Sequence, residues 1–258
     1  MEFADLTPQL YLILFAVALL AGFLDTLVGG GGLLTTPALI LSGMSPLMAL
    51  GTNKLQSTMG TATAAYMVIS KRKASWQGIR WLMLSAFIGS VLGTLALQLI
   101  DAATLSFVIP VVLFFIGSYF LFSPKVREED CQPRISERLY RMFVVPLVGW
   151  YDGMFGPGTG SFFALAGVSL RGYGLVSSTA QAKPLNFSTN IASLIVFLFA
   201  GQFVWQVGVL MMLGQFIGAR FGANVLFSIR ISILKPMIVL MCFGMLISYV
   251  YKMGWLAF

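Results

Sequence analysis

Long apolar runs with almost no charge alternate along the chain with short clusters of glycine, polar and basic residues. The runs at residues 10–24, 81–100, 105–122, 185–200 and 236–250 approach or reach the roughly 20 residues that a helix needs to cross a hydrocarbon core. Each predicts a membrane-spanning helix, so the expected fold is all-α, a polytopic helical membrane bundle. Shorter elements lie between the runs. In each half the pattern reads as a first helix ending at a glycine cluster, a short apolar segment, a longer helix studded with polar residues, and two ordinary spans. That makes about four to five helical segments per half, about eight to ten in all.

The halves are similar to each other. Gly22-Phe23-Leu24-Asp25-Thr26-Leu27-Val28-Gly29-Gly30-Gly31 matches Gly149-Trp150-Tyr151-Asp152-Gly153-Met154-Phe155-Gly156-Pro157-Gly158, with the same spacing from Gly to Asp to Gly. After a small insertion one register relates Gly43 to Gly172, Lys54 to Lys183, Trp76-Gln77 to Trp205-Gln206, Phe87-Ile88-Gly89 to Phe216-Ile217-Gly218, and Gly93 to Gly222. Such self-similarity marks an internal repeat. Residues 1–123 form the first transmembrane repeat and residues 140–258 the second. The linker at 124–139 is charged and, by the excess of Lys and Arg around it, cytoplasmic.

Charge then bears on orientation. Lys71, Arg72 and Lys73 flank the first pair of long spans, whereas the matching turn at 201–203 is uncharged; the turn at Asp101 is matched instead by a segment carrying Arg230 and Lys235. The positive bias has changed sides, which implies an odd number of crossings per half, an inverted repeat and both termini outside. Four crossings per half, a parallel pair, follow if the glycine cluster merely interrupts one continuous span.

Composition narrows the classes. Hydrophobic residues make up 58% and charged residues 10%, against about a quarter charged in soluble proteins. The net charge of +7 sits beside apolar runs, where it reads as topology and not as a nucleic-acid surface. Glu2 and Asp5 precede the first run without Lys or Arg, and no small-residue cleavage site ends it, so the run is expected to be a span and not a leader. With no histidine, and with Cys131 in the linker and Cys242 in an apolar run, a zinc site, a His-based triad and a disulfide are not expected. No cofactor motif is present: the glycine clusters follow no strand, and no Gly-Lys-Ser or Gly-Lys-Thr closes a phosphate loop.

The candidate chemistry lies at the glycine clusters. Gly29, Gly30, Gly31 and Gly32 run consecutively, and Gly156, Pro157, Gly158, Thr159 and Gly160 form the second cluster. Glycine costs roughly 1 kcal/mol and proline about 3 in a helix interior, so the helices should break there. Unwound backbone survives in a membrane only when buried in protein or lining a watery cavity. Two matched breaks therefore predict a central cavity and a binding site. For Gly89 with Gly93 and Gly218 with Gly222, the four-residue spacing fits close helix packing instead.

Lys54 lies in Thr52-Asn53-Lys54-Leu55-Gln56, well inside an apolar stretch, and Lys183 repeats it with Asn186 and Asn190 nearby. An intramembrane charge is expensive, and it usually faces a bundle interior and marks a substrate path. One isolated lysine could equally snorkel to the headgroups; the duplication favours the interior. Asp25 and Asp152 are candidate ion-pair partners or proton carriers. Free N–H groups at the breaks, with Lys54, Lys183, Asn53, Gln56, Asn186 and Asn190, offer donors to an oxyanion. Arg171 and Arg220 lack charged counterparts and read as boundary or packing residues.

These motifs, together with Tyr151-Asp152-Gly153-Met154-Phe155-Gly156-Pro157, Gly160-Ser161-Phe162 and Gly214-Gln215-Phe216-Ile217-Gly218-Ala219-Arg220, resemble the sulfite exporter TauE/SafE family over nearly the whole chain. The resemblance implies a multi-pass carrier of the bacterial inner membrane that moves sulfite, a sulfonate or a related organic anion. The function expected is secondary transport of a small anion, with protons as a candidate coupling ion. A membrane-embedded enzyme using Asp25 and Asp152, or an anion channel, is the alternative. The oligomeric state is not legible.

Overall fold

The computed structural model describes residues 7–122 and 129–226, together with Phe243, Ile247 and Tyr251. Among them every regular element is helical: α1 (Pro8–Val28), α2 (Gly32–Leu41), α3 (Pro46–Ser70), α4 (Trp76–Leu97), α5 (Ala102–Phe122), a short α6 (Glu137–Leu139), a π-helical turn (Tyr140–Val144), α7 (Val145–Met154), α8 (Thr159–Arg171), α9 (Leu175–Ala200) and α10 (Trp205–Val225). Proline opens α1 and α3, where its missing N–H costs nothing. The expected span at residues 236–250, with Cys242, lies outside the described residues apart from Phe243 and Ile247, as do Arg230 and Lys235.

Two core clusters mark the ends of the bundle. One gathers Val68, Ala74, Ile79, Tyr140, Val145, Phe163 and Ala180, with Ile135 at its edge, and so joins the α3–α4 turn, the end of the linker and the start of α9. The other gathers Leu14, Leu39, Met44, Ala49, Leu97, Leu105, Phe197 and Val204, and so joins the turns α2–α3, α4–α5 and α9–α10. α1 and α2 thus form a hairpin that enters from the second face and returns to it. α7 and α8 form a hairpin that enters from the linker face and returns there.

Helix directions follow. Gly51 near the start of α3 faces Phe197 near the end of α9, so these two long helices cross antiparallel. α10 runs parallel to α3, since the Val204 N–H donates to Thr52 Oγ1 at 3.0 Å at one end and Lys71 Nζ reaches the Ala223 carbonyl at the other. The first helix of each half packs on the fourth helix of the other. Gly89 and Gly93 of α4 face the Pro146 and Trp150 carbonyls of α7, while Gly218 and Gly222 of α10 face the Leu19 and Phe23 carbonyls of α1. A Cβ at any of these four would strike backbone. They are packing glycines, as their spacing predicts.

The outer surface is apolar. α4 alone exposes Trp81, Leu84, Ile88, Leu92 and Leu95, which recur every three or four residues. Thr52, Asn53, Lys54, Gln56, Asp152, Lys183 and Asn190 are buried. This inside-out distribution suits lipid as the solvent. Among the described residues three helices are long and apolar enough to cross a membrane, Pro8–Leu27, Trp76–Leu97 and Leu175–Ala200. α3 falls short of that measure because its polar residues face inward.

The linker is strapped to the second half. Cys131 N–H donates to the Gly172 carbonyl at 2.7 Å, Arg134 N–H to Leu170 at 2.9 Å, and Arg171 Nη1 to the Ile135 carbonyl at 2.6 Å. Arg171 therefore sits at the boundary, holding the linker against the α8–α9 turn.

Candidate functional site

Both hairpins turn at the glycine clusters. Gly29 ends α1 at φ 81° and Gly156 follows α7 at φ 90°, left-handed values that an L side chain rarely adopts. The chain reverses within three residues at the first tip, between Val28 and Gly32, and within four at the second, between Met154 and Thr159.

The tips meet at the centre. A Cβ on Gly160 would sit 2.6 Å from the Gly29 Cα, and one on Gly32 would sit 3.3 Å from the Pro157 Cα. Bare backbone is the only surface that permits this approach. Tyr151, one residue before Asp152, donates its hydroxyl to the Pro157 carbonyl at 2.6 Å and Thr159 donates to Gly156 at 2.7 Å, so the second tip carries its own braces.

Charge crosses between the halves. Lys54 on α3 donates to Asp152 Oδ2 on α7 at 2.8 Å, with side chains 2% and 1% exposed. Its Nζ lies so near the second tip that a Cβ on Gly156 would be 3.1 Å away. Lys183 on α9 reaches the other hairpin, donating at 2.6 Å to the backbone carbonyl of Asp25. That carbonyl also accepts the Gly29 N–H at 2.8 Å, and the Asp25 carboxylate accepts the Gly31 N–H at 3.0 Å. Matched lysines thus reach matched hairpins of the opposite half, but only Lys54 holds a carboxylate.

Amides complete the lining. Asn53 Oδ1 accepts from Thr35 and from Gln56 Nε2, the latter at 2.8 Å, which ties α3 to α2. Asn186 Nδ2 would lie 3.3 Å from a Cβ on Gly160, and Asn190 Nδ2 donates to the Asn186 carbonyl at 2.8 Å. Gly30 is buried and Gly158 caps the start of α8. All thirteen residues expected to bind substrate therefore lie on the two tips or on the α3 and α9 segments beside them. Thr35, which donates to Asn53, and Tyr151, which braces the second tip, are not among the expected site residues, although Tyr151 lies inside the repeated motif and Thr35 three residues after Gly32.

Where the two tips touch, bare backbone lies against bare backbone. The crevice beside the tips is lined by Thr36, Leu50, Ile109, Val112, Phe155 and Pro157 and leaves no room for a water molecule.

A charged, hydrogen-bonding centre enclosed by broken helices, inside a bundle with an apolar exterior, places the molecule in the class of multi-pass membrane transporters. The family model described as "Sulfite exporter TauE/SafE" matches residues 14–249. The chain is 44% identical over 254 residues to a "Probable membrane transporter protein" of Haemophilus influenzae, covering 98% of this chain and 100% of that protein. It is 43% identical over 234 residues to "Probable membrane transporter protein YfcA" of Escherichia coli, covering 91% and 87%. It is 39% identical over 243 residues to "Probable membrane transporter protein ORF9" of a Sinorhizobium species, covering 94% and 93%. No solved structure matches. The chain belongs to the sulfite exporter TauE/SafE family and is a transporter of the inner membrane.

Proposed function

We propose that this transporter carries a small oxyanion, with sulfite and sulfonates as the first candidates, at the place where the two hairpin tips meet. The observation that carries this reading is the convergence of Lys54 and Lys183, from antiparallel helices, on the hairpins of the opposite half. Two buried ammonium groups beside unwound backbone supply charge and N–H donors together, the combination that recognises an oxyanion.

We infer further that residues 1–123 and 140–258 are inverted repeats joined by a cytoplasmic linker. Support comes from the opposite entry of the α1–α2 and α7–α8 hairpins and from the antiparallel crossing of α3 and α9. In the first half three long helices, α3, α4 and α5, follow the hairpin, which makes an odd number of crossings; in the second, α9 and α10 follow it, and the apolar run at 236–250 is expected to supply the third. The Lys71–Lys73 turn and the linker share one face, which the positive-inside rule assigns to the cytoplasm. In the closed centre described here, transport requires the tips to part so that the anion can reach the ammonium groups beside them.

Thermal stability of detergent-solubilised protein, titrated with sulfite and short sulfonates, tests the site, because a ligand that binds only the folded state raises the melting temperature. Lys54→Ala and Lys183→Ala should each weaken binding by about 10- to 100-fold, the value of a charged hydrogen bond. Lys71→Ala should leave it unchanged. Equal effects from all three substitutions would remove the site.

A further inference from the structure

The charges at the centre already balance. Lys54 and Lys183 face Asp25 and Asp152, so the set is neutral when all four are ionised. A monovalent anion entering it would leave one uncompensated negative charge in a medium that solvates charge poorly. Something positive must enter with it.

The two carboxylates are not equivalent candidates for that role. Asp152 is 1% exposed and held by Lys54 at 2.8 Å. Asp25 is partly exposed, accepts only the Gly31 N–H among the hydrogen bonds described, and has no ammonium group within ion-pair distance among the described residues. Its own backbone carbonyl has taken the Lys183 ammonium in place of the carboxylate. The charged groups that act on it are Lys183 from α9, Asp152 from α7 and Lys54 from α3; α2 brings none, α8 only Arg171 at its far end, and α10 only Arg220, on an exposed position.

Resting on the oxyanion site above, we propose that Asp25 is the proton-binding residue of the carrier and that Asp152 is a fixed counter-ion. The Asp25 carboxylate takes one proton from water as the anion binds, becoming a neutral acid, and returns it as the anion leaves. One proton then accompanies each monovalent anion, and Lys183 is free to hold the substrate. The matched aspartates of the duplication have divided two roles between them.

Calorimetric titration with methanesulfonate, whose single negative charge is constant across the usable pH range, reads this directly. Heats measured in buffers of different ionisation enthalpy should give one proton taken up per anion bound. Affinity should fall about tenfold for each pH unit above the midpoint of the acid. Asp25→Asn mimics the neutral acid, so its proton uptake should vanish and its affinity should become independent of pH. Asp25→Glu should restore the slope with a displaced midpoint, which separates loss of a proton site from loss of folding. A parent protein that binds methanesulfonate without proton uptake, or an Asp25→Asn protein that keeps the parental slope, would overturn the assignment and leave the anion site standing. Absence of binding by every small sulfur oxyanion, in protein that melts cooperatively, would instead sink the site and this inference with it.

Discussion

The same three-helix unit occurs twice in the molecule, as α4 with α7 and α9 and as α10 with α1 and α3, and the two copies are held together differently. In the first, Ser90 Oγ lies 2.7 Å from Ser193 Oγ and donates to the Thr189 carbonyl at 2.7 Å, while Thr94 Oγ1 reaches Ser193 Oγ at 2.9 Å and the Gly153 carbonyl at 3.1 Å. In the second, the register of the duplication puts Ala219 at Ser90, Ala223 at Thr94, Ala64 at Ser193 and Gly60 at Thr189. There the helices touch through Gly22, Gly60, Gly214, Gly218 and Gly222, and the buried Gln215 leaves its Nε2 without a partner among the described residues. Duplication copied the close approach of the backbones but not the serine and threonine hydrogen bonds at mid-helix; the second unit is tied instead at its ends, by Val204 N–H to Thr52 Oγ1 and Lys71 Nζ to the Ala223 carbonyl. In lipid an interhelical hydrogen bond contributes on average about 0.6 kcal/mol and at most about 1.7, so the first unit is expected to be the stiffer at mid-helix.

The largest effect should come from the contact that both units share. Gly89→Leu and Gly218→Leu each drive a side chain into a rigid backbone carbonyl of the facing helix, a clash beyond the about 1–3 kcal/mol of ordinary core overpacking that separates the helices. Both should abolish monodisperse protein on size-exclusion chromatography. Survival of one alone would show that the two interfaces are not equivalent.

Next in size are the lysines, which the duplication makes alike and the structure makes different. Lys54→Met strands the buried Asp152 carboxylate and should destabilise by about 3–5 kcal/mol, with the added substitution Asp152→Asn recovering much of it. Lys183→Met removes one charged hydrogen bond from a carbonyl that keeps the Gly29 N–H, and should cost about 1–3 kcal/mol. Chemical denaturation in mixed micelles would rank them, and equal losses would mean that Lys183 also holds a carboxylate.

Ser193→Ala removes two hydrogen bonds of the polar unit and should cost about 1 kcal/mol. More tellingly, amide exchange in α4 and α9 should rise toward the rate of α1 and α3, which is expected to be faster in the parent. Equal exchange in the two units from the start would refute the difference in stiffness.

The smallest effect should be at Asp101, in the α4–α5 turn outside both units. Its carboxylate accepts the Thr104 N–H at 2.7 Å and the Thr104 hydroxyl at 2.9 Å, which hold it below the ordinary carboxylate range. With the folded value depressed, its stabilisation is complete above the unfolded pKa of about 4 and is lost as pH falls through the folded value. Asp101→Ala should therefore melt slightly below the parent at pH 7 and level with it at low pH.

Much of this architecture could be read from the chain alone. In hydrocarbon a backbone must satisfy its own hydrogen bonds segment by segment, so apolar runs report helices directly and Gly29 to Gly32 and Gly156 to Gly160 report where helices stop. Lys54 and Lys183 were legible for a related reason: an ammonium group deep in an apolar run is tolerated only where it has work or a partner. What local pattern could not decide was the pairing. Lys54 finds Asp152 at a separation of 98 residues, and Lys183 finds a carbonyl where its counterpart finds a carboxylate. That the two tips touch each other through their glycines was equally hidden. These outcomes depend on ångström-scale approach between hairpins entering from opposite faces, which side-chain packing sets once all the helices are in place.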